Sequence, residues 1–317
     1  MKLSQLEHFL AVVENDFNLS TAAIHLFTTQ PAVSKQIGAL EEELGVKLFV
    51  RRGKKFTSMT NEGRRVHEYA RRALAEVDNI RHIGEAFSTP DVGYLSIATT
   101  HTQARYLLPR VLPLFRRWYP DVELHIEQNS PQENARLVAE GRLDFAINTE
   151  ALEGEDELVT IPCYRWNRRV IIPTDHPLME IRPITLEAIA EYPIISYARG
   201  FTGRPKLDQA FIHHGLRPNL AIAASDADVI KTYVRLGMGV GIIAQMAYDS
   251  KTDQDLAAID ASHLFPDAVT WVAYRKDRLL KKYMFDFVRL LAPRLKLTFE
   301  DGAIRGNWTE MQIPMFG

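Results

Sequence analysis

The sequence predicts an α/β protein in three parts: a helix-turn-helix unit with a basic hairpin, a long linker helix, and a larger α/β domain with two lobes. Three observations support this fold class. Two short helices with a tight break between them lie near the N-terminus, an apolar repeat of alternating fours and threes follows, and strand–helix repeats fill the last two thirds. The length of 317 residues fits about two or three domains of ordinary size.

The composition is that of a soluble globular protein. Hydrophobic residues make up 46%, charged residues 25%, and the net charge is −2, which excludes wholesale disorder and fibrous repeats. The single cysteine, Cys163, excludes a disulfide framework and a cysteine-rich zinc site. Acidic residues interrupt the apolar N-terminus, so we expect no secretory signal there, and the longest uncharged apolar run, 236–248, is too short to span a bilayer. We expect a cytoplasmic protein without a membrane partner.

The first 60 residues carry the pattern of a helix-turn-helix. Apolar residues at helical spacing predict a first helix with Ser4 as a candidate N-cap, and Ser20 is the expected N-cap of a second, short helix. A third helix should begin after Thr29, with Pro31 in its first turn, and should end at Gly45. Two short helices joined by a tight break are typical of DNA-binding proteins whose second helix enters the major groove.

The N-terminal end of the third helix is polar and suited to reading bases. Gln30, Ser34 and Lys35 are its expected exposed residues, and Gln pairs well with adenine and Lys with guanine. The acidic run at residues 41–43 lies at the far end, where contact with phosphates would be unfavourable. The helix should therefore meet DNA with its N-terminal end.

A basic segment follows the third helix. Between Lys47 and Arg72 there are nine basic residues and two acidic ones, so this stretch carries a net charge of +7. Residues 47–51 and 55–59 are typical of two short strands, and the hairpin wing between them places Arg52 and Lys54 where they can contact phosphates. Charge alone leaves a second interpretation open, in which the basic residues form a solvated helix face.

The run TAAIHLFTTQPAVSKQIGALEEELGVKLFVRRGKKFTSMT resembles, over all of its 40 residues, the winged helix-turn-helix of LysR-type transcriptional regulators. The resemblance implies double-stranded promoter DNA as the partner. The residues expected to contact it are Thr29, Gln30, Pro31, Ser34, Lys35, Arg52 and Lys54. One departure is Gly38, where relatives commonly carry a larger, often basic residue. A glycine there costs about 0.5–1 kcal/mol of helix stability and removes one candidate DNA contact.

A coiled-coil linker helix is predicted over residues 61–89. Its apolar positions alternate four and three residues apart, as in a two-helix seam: Val66, Ala70, Ala73, Val77, Ile80, Gly84 and Phe87. An amphipathic helix packed on its own domain would show the same pattern, and that interpretation stays open. The segment resembles the linker helix that pairs two subunits in LysR-type proteins, which implies a homodimer on dyad-symmetric half-sites and, from the family, a homotetramer.

The remaining residues, 90–317, are predicted to form an effector-binding domain with two α/β lobes. Strands alternate with helices, which indicates parallel sheets with crossover connections near residues 161–166 and 265–269. The predicted boundaries are 90–162 and 268–295 for lobe I, and 163–267 for lobe II. The arrangement resembles the bilobed periplasmic solute-binding proteins and the LysR-type effector domains. The weakly patterned tail after Lys296 is expected to be peripheral.

Polar side chains lie where predicted strands end and helices begin, which is where ligands bind in open α/β sheets. They are Thr100, Thr102 and Gln103 after the first strand, Thr149 after the third, and Thr202-Gly203 and Ser225-Asp226 before later helices. Sulfate carries no proton at neutral pH, so it needs donors only, and hydroxyls, amides and free helix N–H groups all donate. Each hydroxyl by itself is equally well explained as an N-cap worth about 1 kcal/mol.

Five segments resemble the CysB and Cbl branch of LysR-type regulators, which controls sulfur assimilation: ATTHTQARYLLP, FAINTEALEG, CYRWNRR, FTGRPKLDQAF and SDADVIKTYVRLGMGVGIIA. The resemblance implies a sulfate-like anion held by Thr100, Thr102, Gln103, Thr149, Trp166 and Thr202. The implied effectors are sulfate, thiosulfate, adenosine phosphosulfate, and O- or N-acetylserine, with no cofactor and no metal. Trp166 taken alone would also fit a core position.

A second hypothesis, from another class, is a bilobed small-molecule-binding protein or enzyme with an N-terminal interaction module. The glycine-rich run at residues 237–241 does not support it, since a helix precedes the run and a strand follows, the reverse of a dinucleotide-binding turn. Cys163 has no base nearby in sequence, so we expect a buried structural thiol and no catalytic residue. The sequence leaves open whether the protein activates or represses, and whether its targets serve cysteine synthesis or sulfonate use.

Overall fold

The computed structural model describes residues 1–53, 55–88, 91–149, 156–201, 203–306 and 313–316. The chain divides into two compact units, Met1–Phe87 and Ser88–Gly317. Within the described ranges no helix combines the length and the apolar character that crossing a bilayer requires. Lys54 and Thr202, both predicted site residues, lie outside the described residues.

The first unit consists of three short helices, a two-stranded hairpin and a long helix. In chain order these are α1 (Leu3–Glu14), α2 (Leu19–His25), α3 (Gln30–Leu44), β1 (Phe49–Arg52), β2 (Lys55–Met59) and α4 (Asn61–Ser88). The strands pair antiparallel, which confirms the predicted hairpin. As predicted, α3 follows Thr29, has Pro31 in its first turn and ends at Gly45, whose φ of +68° suits glycine. The core of the unit includes Phe9, Val33, Ile37, Leu40, Leu48 and Phe49.

Two predicted helix caps are wrong. Asn18 precedes α2 with extended backbone, and its Oδ1 accepts from the N–H groups of Ser20 and Thr21 at 3.0 and 3.3 Å, so Ser20 is already inside the helix. Ser4 is likewise inside α1, whose N-cap residue is Lys2. Asn18 caps the helix because its side-chain oxygen accepts from two free helix N–H groups at once.

The long helix α4 has two different faces along its length. Val66, Ala70 and Leu74 pack against the core of the first unit, as the alternative interpretation of the apolar repeat predicted. Further along, Ala73 is exposed and Ile80 is 68% exposed. The repeat therefore serves intramolecular packing at its start and presents apolar side chains to solvent in its second half.

The second unit alternates strands and helices. In chain order its main elements are β3 (Gly93–Thr99), α5 (His101–Tyr106), α6 (Leu108–Trp118), β4 (Val122–Gln128), α7 (Pro131–Ala139), β5 (Phe145–Asn148), β6 (Leu158–Trp166), β7 (Arg168–Pro173), α8 (Leu186–Ala190), β8 (Ile194–Tyr197), α9 (Arg204–His213), β9 (Leu220–Ala224), α10 (Ala227–Arg235), β10 (Val240–Ala244), β11 (Leu256–Asp260), β12 (Ala268–Arg275), α11 (Lys282–Leu291), β13 (Thr298–Glu300) and β14 (Ala303–Arg305).

Two five-stranded sheets form the two predicted lobes. Lobe I has the strand order β4-β3-β5-β12-β6, with β3 parallel to β4 and β5, and with β12 antiparallel to β5 and β6. Lobe II has the order β11-β7-β10-β8-β9, with β8 parallel to β9 and β10, and with β7 antiparallel to β10 and β11. Each sheet is thus mixed, although the sequence predicted parallel sheets, because the strands that connect the lobes run against their neighbours.

Asn167 marks the place where the chain passes between the lobes. β6 belongs to the sheet of lobe I as far as Trp166, and β7 begins in lobe II at Arg168. The Asn167 amide donates to the carbonyl of Phe265 at 3.0 Å and to the carboxylate of Asp267 at 2.8 Å, and both residues belong to the second connection. One side chain therefore ties the two inter-lobe connections together.

The prediction of a peripheral tail is wrong for its described residues. β13 and β14 form a hairpin whose Ile304 is buried in the core of lobe I. The segment 313–316 pairs with β6: the Phe316 N–H donates to the Arg165 carbonyl, and the Arg165 N–H donates to the Pro314 carbonyl, both at 2.7 Å. The Phe316 ring lies 4.9 Å from that of Tyr164. The tail therefore completes the core, through contacts too distant in sequence for local patterns to show.

Candidate functional site

The N-terminal end of α3 is a polar surface. Thr29, Gln30, Pro31 and Lys35 are exposed, and Ser34 is half-buried. Thr29 occupies the N-cap position without accepting a capping hydrogen bond from its side chain. A helix N-terminus carries free N–H groups and a partial positive charge, both of which favour a negatively charged partner such as a phosphate backbone.

The wing beside α3 is fastened by a buried glutamate. Glu41 is 2% exposed, and its carboxylate accepts from the Leu48 N–H at 3.0 Å, from Lys47 Nζ at 2.9 Å and from Arg51 Nη2 at 3.0 Å. Burial raises the pKa of this carboxyl, but the bonds from Lys47 and Leu48 and the charge of Arg51 outweigh it and hold the pKa below its usual value. The sequence indicated only an acidic helix end, and did not indicate this anchor.

Arg52 is exposed at the turn of the hairpin, as are Arg51 before it and Lys55 opposite it. Its neighbour Arg51 is committed to Glu41 and also lies over the Phe56 ring at 4.9 Å. The alternation of side chains along a strand explains why Arg51 reaches Glu41 while Arg52 points to the other face of the hairpin. Arg52 is therefore placed to meet a partner.

Two of the predicted ligand residues carry unsatisfied hydroxyls in lobe I. Thr100 and Thr102 are 2% and 1% exposed, and neither hydroxyl has a hydrogen-bond partner among the described residues. Thr100 occupies the N-cap position of α5 but makes no side-chain cap bond. By contrast, Asp226 is a true cap of α10, since its Oδ1 accepts from the Val229 N–H at 2.8 Å. A buried polar group left unpaired costs about 1–3 kcal/mol, so these two hydroxyls are suited to a ligand.

Gln103 stands at the centre of a buried hydrogen-bond network. Its Nε2 donates to Thr149 Oγ1 at 3.4 Å and to Thr270 Oγ1 at 3.3 Å, and its Oε1 accepts from the Tyr164 hydroxyl. Trp166 is fully buried, and its Nε1 donates to the same Thr270 Oγ1 at 3.2 Å. The structure thus brings together three predicted ligand residues, Gln103, Thr149 and Trp166, but the side-chain N–H donors of Gln103 and Trp166 are engaged within the protein.

Sequence reasoning missed Tyr164 and Thr270. Tyr164 lies two residues before Trp166 on β6, so both side chains share one face of the strand, and that periodicity was a usable signal. Thr270 lies on β12 more than a hundred residues away, and no local pattern links it to Gln103. Thr202 lies outside the described residues, so its place relative to this network is not described.

A second polar cluster joins the lobes beside α5. Asp228, on α10 of lobe II, accepts from the Tyr106 hydroxyl at 2.6 Å and pairs with Arg105 Nε at 2.8 Å. Lys231 Nζ lies 3.2 Å from the same carboxylate. Burial raises the pKa of Asp228, but Tyr106, Lys231 and Arg105 together hold it below its usual value. Arg105, three residues after Thr102, is therefore already paired with a carboxylate.

Both units match known protein families. Residues 3–64 match the bacterial regulatory helix-turn-helix protein, lysR family, and residues 88–296 match the LysR substrate binding domain. The HTH-type transcriptional regulator SsuR of Burkholderia cenocepacia is 45% identical over 305 residues, covering 96% of this chain and 99% of that protein. CysB of Haemophilus influenzae is also 45% identical, over 96% of this chain and 94% of that protein.

Solved structures agree with these matches. The crystal structure of the cofactor-binding domain of the Cbl transcriptional regulator superposes with a TM-score of 0.63 at 41% identity, over 65% of this chain and 90% of that one. A full-length OxyR from Pseudomonas aeruginosa superposes with a TM-score of 0.73, over 92% of this chain and 94% of that one, and at 22% identity this likeness shows the fold alone.

The chain belongs to the LysR family of bacterial transcriptional regulators. It is a DNA-binding regulator and not an enzyme, with a helix-turn-helix in the first unit and a substrate-binding domain of the LysR type in the second. The hypothesis of an enzyme or solute-binding protein with an added interaction module is therefore set aside.

Proposed function

We propose that the protein regulates genes of sulfur assimilation in response to a small sulfur-related anion or acetylserine bound between its lobes. The pair of buried hydroxyls on Thr100 and Thr102, without partners among the described residues, carries this proposal. The relatives CysB and Cbl, at 40–45% identity, support the choice of regulon. The candidate effectors are sulfate, thiosulfate, adenosine phosphosulfate, and O- or N-acetylserine.

The ligand would use donors that the protein leaves open. Thr100 and Thr102 each offer a hydroxyl, and an unprotonated anion accepts both. Gln103 follows Thr102 directly on α5, and its amide is linked to Thr149 directly and to Trp166 through Thr270. For Gln103 or Trp166 to donate to a ligand, one of their present bonds must be exchanged, which would couple ligand binding to a change in the lobe I core. Thr202 is proposed to close the site from lobe II.

We further propose which residues of the first unit contact DNA. Thr29, Gln30, Pro31, Ser34 and Lys35 read bases in the major groove, while Arg52 and Lys54 bind the backbone. Residues 1–60 form the DNA-binding domain, 61–89 the linker helix that pairs two subunits, and 90–317 the effector domain. Pairing places two α3 helices on dyad-symmetric half-sites, and two dimers form the tetramer. Promoter DNA as the partner implies a cytoplasmic protein.

Effector binding would shift the balance between lobe arrangements. A ligand changes such a balance only if it binds the two arrangements unequally. Groups of both lobes meet beside α5, where Tyr106 and Arg105 contact Asp228. A ligand held by Thr102 on the same helix therefore acts next to the inter-lobe contact, and the linker helix would carry the change to the DNA half-sites.

Calorimetry with each candidate effector tests the ligand site. We expect Thr102→Val to weaken binding by about tenfold to 150-fold, because a hydrogen bond to a charged group contributes about 1.5–3 kcal/mol. Thr298→Val, at an exposed hydroxyl on β13, is the matched control and should leave affinity unchanged. Unchanged affinity of the Thr102 variant for every effector would show that the site is elsewhere.

Gel-shift titrations on sulfur-gene promoters test the DNA-binding residues. Lys35→Ala should relax sequence preference, because it removes a base contact. The discrimination between bases at one position of the operator should fall by about 1–3 kcal/mol. Lys54→Ala should weaken all sequences alike and lower the salt slope by about one. Equal loss of specificity from both variants would refute this division of roles, and the absence of any specific shift at moderate salt would refute the regulon.

A further inference from the structure

The segment 313–316 is bound to lobe I along its backbone. Arg165, on β6, donates its N–H to the Pro314 carbonyl at 2.7 Å, and its carbonyl accepts from the Phe316 N–H at 2.7 Å. The Arg165 side chain also contributes, since its Nε donates to the Ile313 carbonyl at 3.1 Å. Ile313 is buried. The segment is therefore an integral part of lobe I, and its residues have fixed positions relative to β6.

The Phe316 ring contacts two side chains of lobe I. Its centre lies 4.9 Å from that of the Tyr164 ring and 4.2 Å from the guanidinium carbon of Arg110, on α6. Contacts of a ring with a second ring or with a cation are attractive and depend on geometry. Phe316 therefore restricts where the Tyr164 ring can lie.

Tyr164 determines which end of the Gln103 amide faces the neighbouring hydroxyls. Its own hydroxyl donates to Gln103 Oε1, and Gln103 Nε2 then donates to Thr149 and Thr270. Burial raises the pKa of Tyr164, so the phenol keeps its proton at neutral pH and remains a donor. The two threonine hydroxyls can donate as well as accept, so by themselves they would tolerate either orientation of the amide.

The orientation of this amide matters for an anionic ligand. The nitrogen of the Gln103 side chain donates hydrogen bonds and its oxygen accepts them, so a reversed amide would present an acceptor where an anion requires a donor. A side chain already held in the binding orientation also loses less conformational entropy when the ligand arrives. Tyr164 should therefore influence affinity through Gln103.

Gln245 joins the same segment to lobe II. It follows β10 directly, and its Nε2 donates to the Phe316 carbonyl at 3.1 Å. Its Oε1 accepts from the Asn167 N–H at 3.2 Å, and its own N–H donates to the Asn167 carbonyl at 2.9 Å. Asn167 is the residue at which the chain passes between the lobes. One glutamine therefore connects lobe II, the inter-lobe connection and the segment 313–316.

We propose that Phe316 is a positioning residue of the effector site, which holds Tyr164, and through it the Gln103 amide, in the orientation that binds an anion. The inference rests on the proposed function and adds to it a contribution from a segment outside the predicted ligand residues. The bond from Gln245 links Phe316 to lobe II, so the orientation of the amide and the position of the lobes depend on each other.

Calorimetry with sulfate, thiosulfate, adenosine phosphosulfate and the acetylserines tests the role of Phe316. For each effector that binds, we expect Phe316→Ala to weaken binding about tenfold, a common size for coupling between residues in contact. Phe316→Leu, which keeps most of the apolar volume, should recover affinity in part.

Phe299→Ala is the matched control for the loss of a ring. Phe299 is also half-buried on the core of lobe I, and its ring stacks on that of Phe285 at 5.1 Å. We expect this variant to bind the effectors like the unmodified protein. A loss in Phe316→Ala no greater than that in Phe299→Ala would overturn the inference.

A double-mutant cycle shows whether Phe316 acts through Tyr164. Tyr164→Phe keeps the ring and removes the hydroxyl that donates to Gln103. In that background Phe316→Ala should cost less than about twofold in affinity, because the oriented bond is already absent. The same tenfold loss in both backgrounds would assign Phe316 a purely structural role and contradict the inference.

Gln245→Glu tests the connection to lobe II. The variant keeps the oxygen that accepts from Asn167 and replaces the donor to Phe316 with a second oxygen. We expect about fivefold faster hydrogen exchange in peptides that cover residues 313–316, together with weaker effector binding. Gln254→Glu makes the same change of charge at an exposed position of lobe II and is the control. Exchange no faster than in this control would refute the connection.

The experiment also distinguishes the failure of the proposed function. If the unmodified protein binds none of the effectors, the proposed function and this inference both fall. Effector binding that Phe316→Ala leaves at the level of the Phe299 control overturns the inference alone. If Phe316→Ala does not fold, the cycle is measured with Phe316→Leu, whose smaller loss should again disappear in the Tyr164→Phe background.

Discussion

The Tyr106 hydroxyl donates to Asp228 Oδ1 across 2.6 Å, and this bond joins helices of opposite lobes. Arg105, the neighbour of Tyr106 on α5, contacts the other oxygen of the same carboxylate. Lys231 lies within 3.2 Å of both Asp228 and the Tyr106 hydroxyl. Since α5 also carries Thr102, the helix that would hold the ligand is fastened to the opposite lobe.

Removing the Asp228 charge should loosen this contact. We expect Asp228→Asn to increase hydrogen exchange in α5 and α10 about fivefold and to speed sulfate association, because a half-buried ion pair of this kind is worth about 1 kcal/mol. Hydrogen-exchange mass spectrometry and stopped-flow binding measure the two effects. Asp255→Asn, which removes the exposed partner of Arg235 on lobe II, is the control. Unchanged exchange in both helices would show that Asp228 does not hold the lobes.

Glu41 should make the stability of the first unit depend on acid. Its pKa lies below the usual value in the folded protein, so its contribution is fully present above the unfolded value near about 4 and is lost as the pH falls through the lower folded value. We expect Glu41→Gln to cost about 2 kcal/mol at neutral pH, with a smaller difference at acidic pH. Thermal unfolding across pH measures this, with exposed Glu42→Gln as control. A cost that is constant with pH would contradict the assigned pKa.

Thr270 should matter to the buried network of lobe I. Thr270→Val keeps the shape of the side chain but leaves Gln103 Nε2 and Trp166 Nε1 without their shared acceptor. We expect a loss of about 1–3 kcal/mol in the free energy of unfolding, and a shifted tryptophan emission because the indole N–H loses its bond. Urea titration followed by fluorescence measures both, and exposed Thr252→Val should change neither. A cost no greater than that of the control would refute the network.

The second half of α4 should pair two subunits. Ile80 is 68% exposed within one chain, and burying it in a symmetric seam would contribute about 1.5–3 kcal/mol from each subunit. We therefore expect Ile80→Asp to raise the dimer dissociation constant more than about 100-fold in analytical ultracentrifugation. Ala75→Asp places the same charge on the opposite side of the helix and should leave the dimer intact. Equal behaviour of the two variants would refute the seam.

The parts of this protein that local sequence patterns govern could be predicted. The two ends of α3 were predicted correctly from Pro31 in its first turn and Gly45 after its last turn. Both signals are local, because each residue restricts or permits particular backbone angles at its own position. β3 ends at Thr99 and β5 at Asn148, so Thr100 and Thr149 each follow a strand directly, as predicted. The two strands are neighbours in the sheet, which brings Thr100 and Thr149 to the same edge.

The rest depended on contacts between distant residues. Glu41 looked like part of a solvated acidic run, and only the folded wing shows it bonded to Leu48 and Lys47. Thr270 meets Gln103 across 167 positions of sequence. The tail residue Phe316 was unpatterned because one short segment pairing with β6 leaves no periodic signal. Such contacts form only in the complete fold, so they cannot be predicted from local sequence patterns.

The single thiol of this chain is chemically silent in the native state. Cys163 is fully buried on β6, and burial raises its pKa to about 12, so at neutral pH it is neither ionised nor within reach of a maleimide. A cysteine engineered onto the surface of either lobe would consequently be the one fast-reacting position, and paired spectroscopic labels could follow lobe separation without any native residue being removed first. The rate at which Cys163 itself is alkylated would then measure how often the sheet that contains it opens.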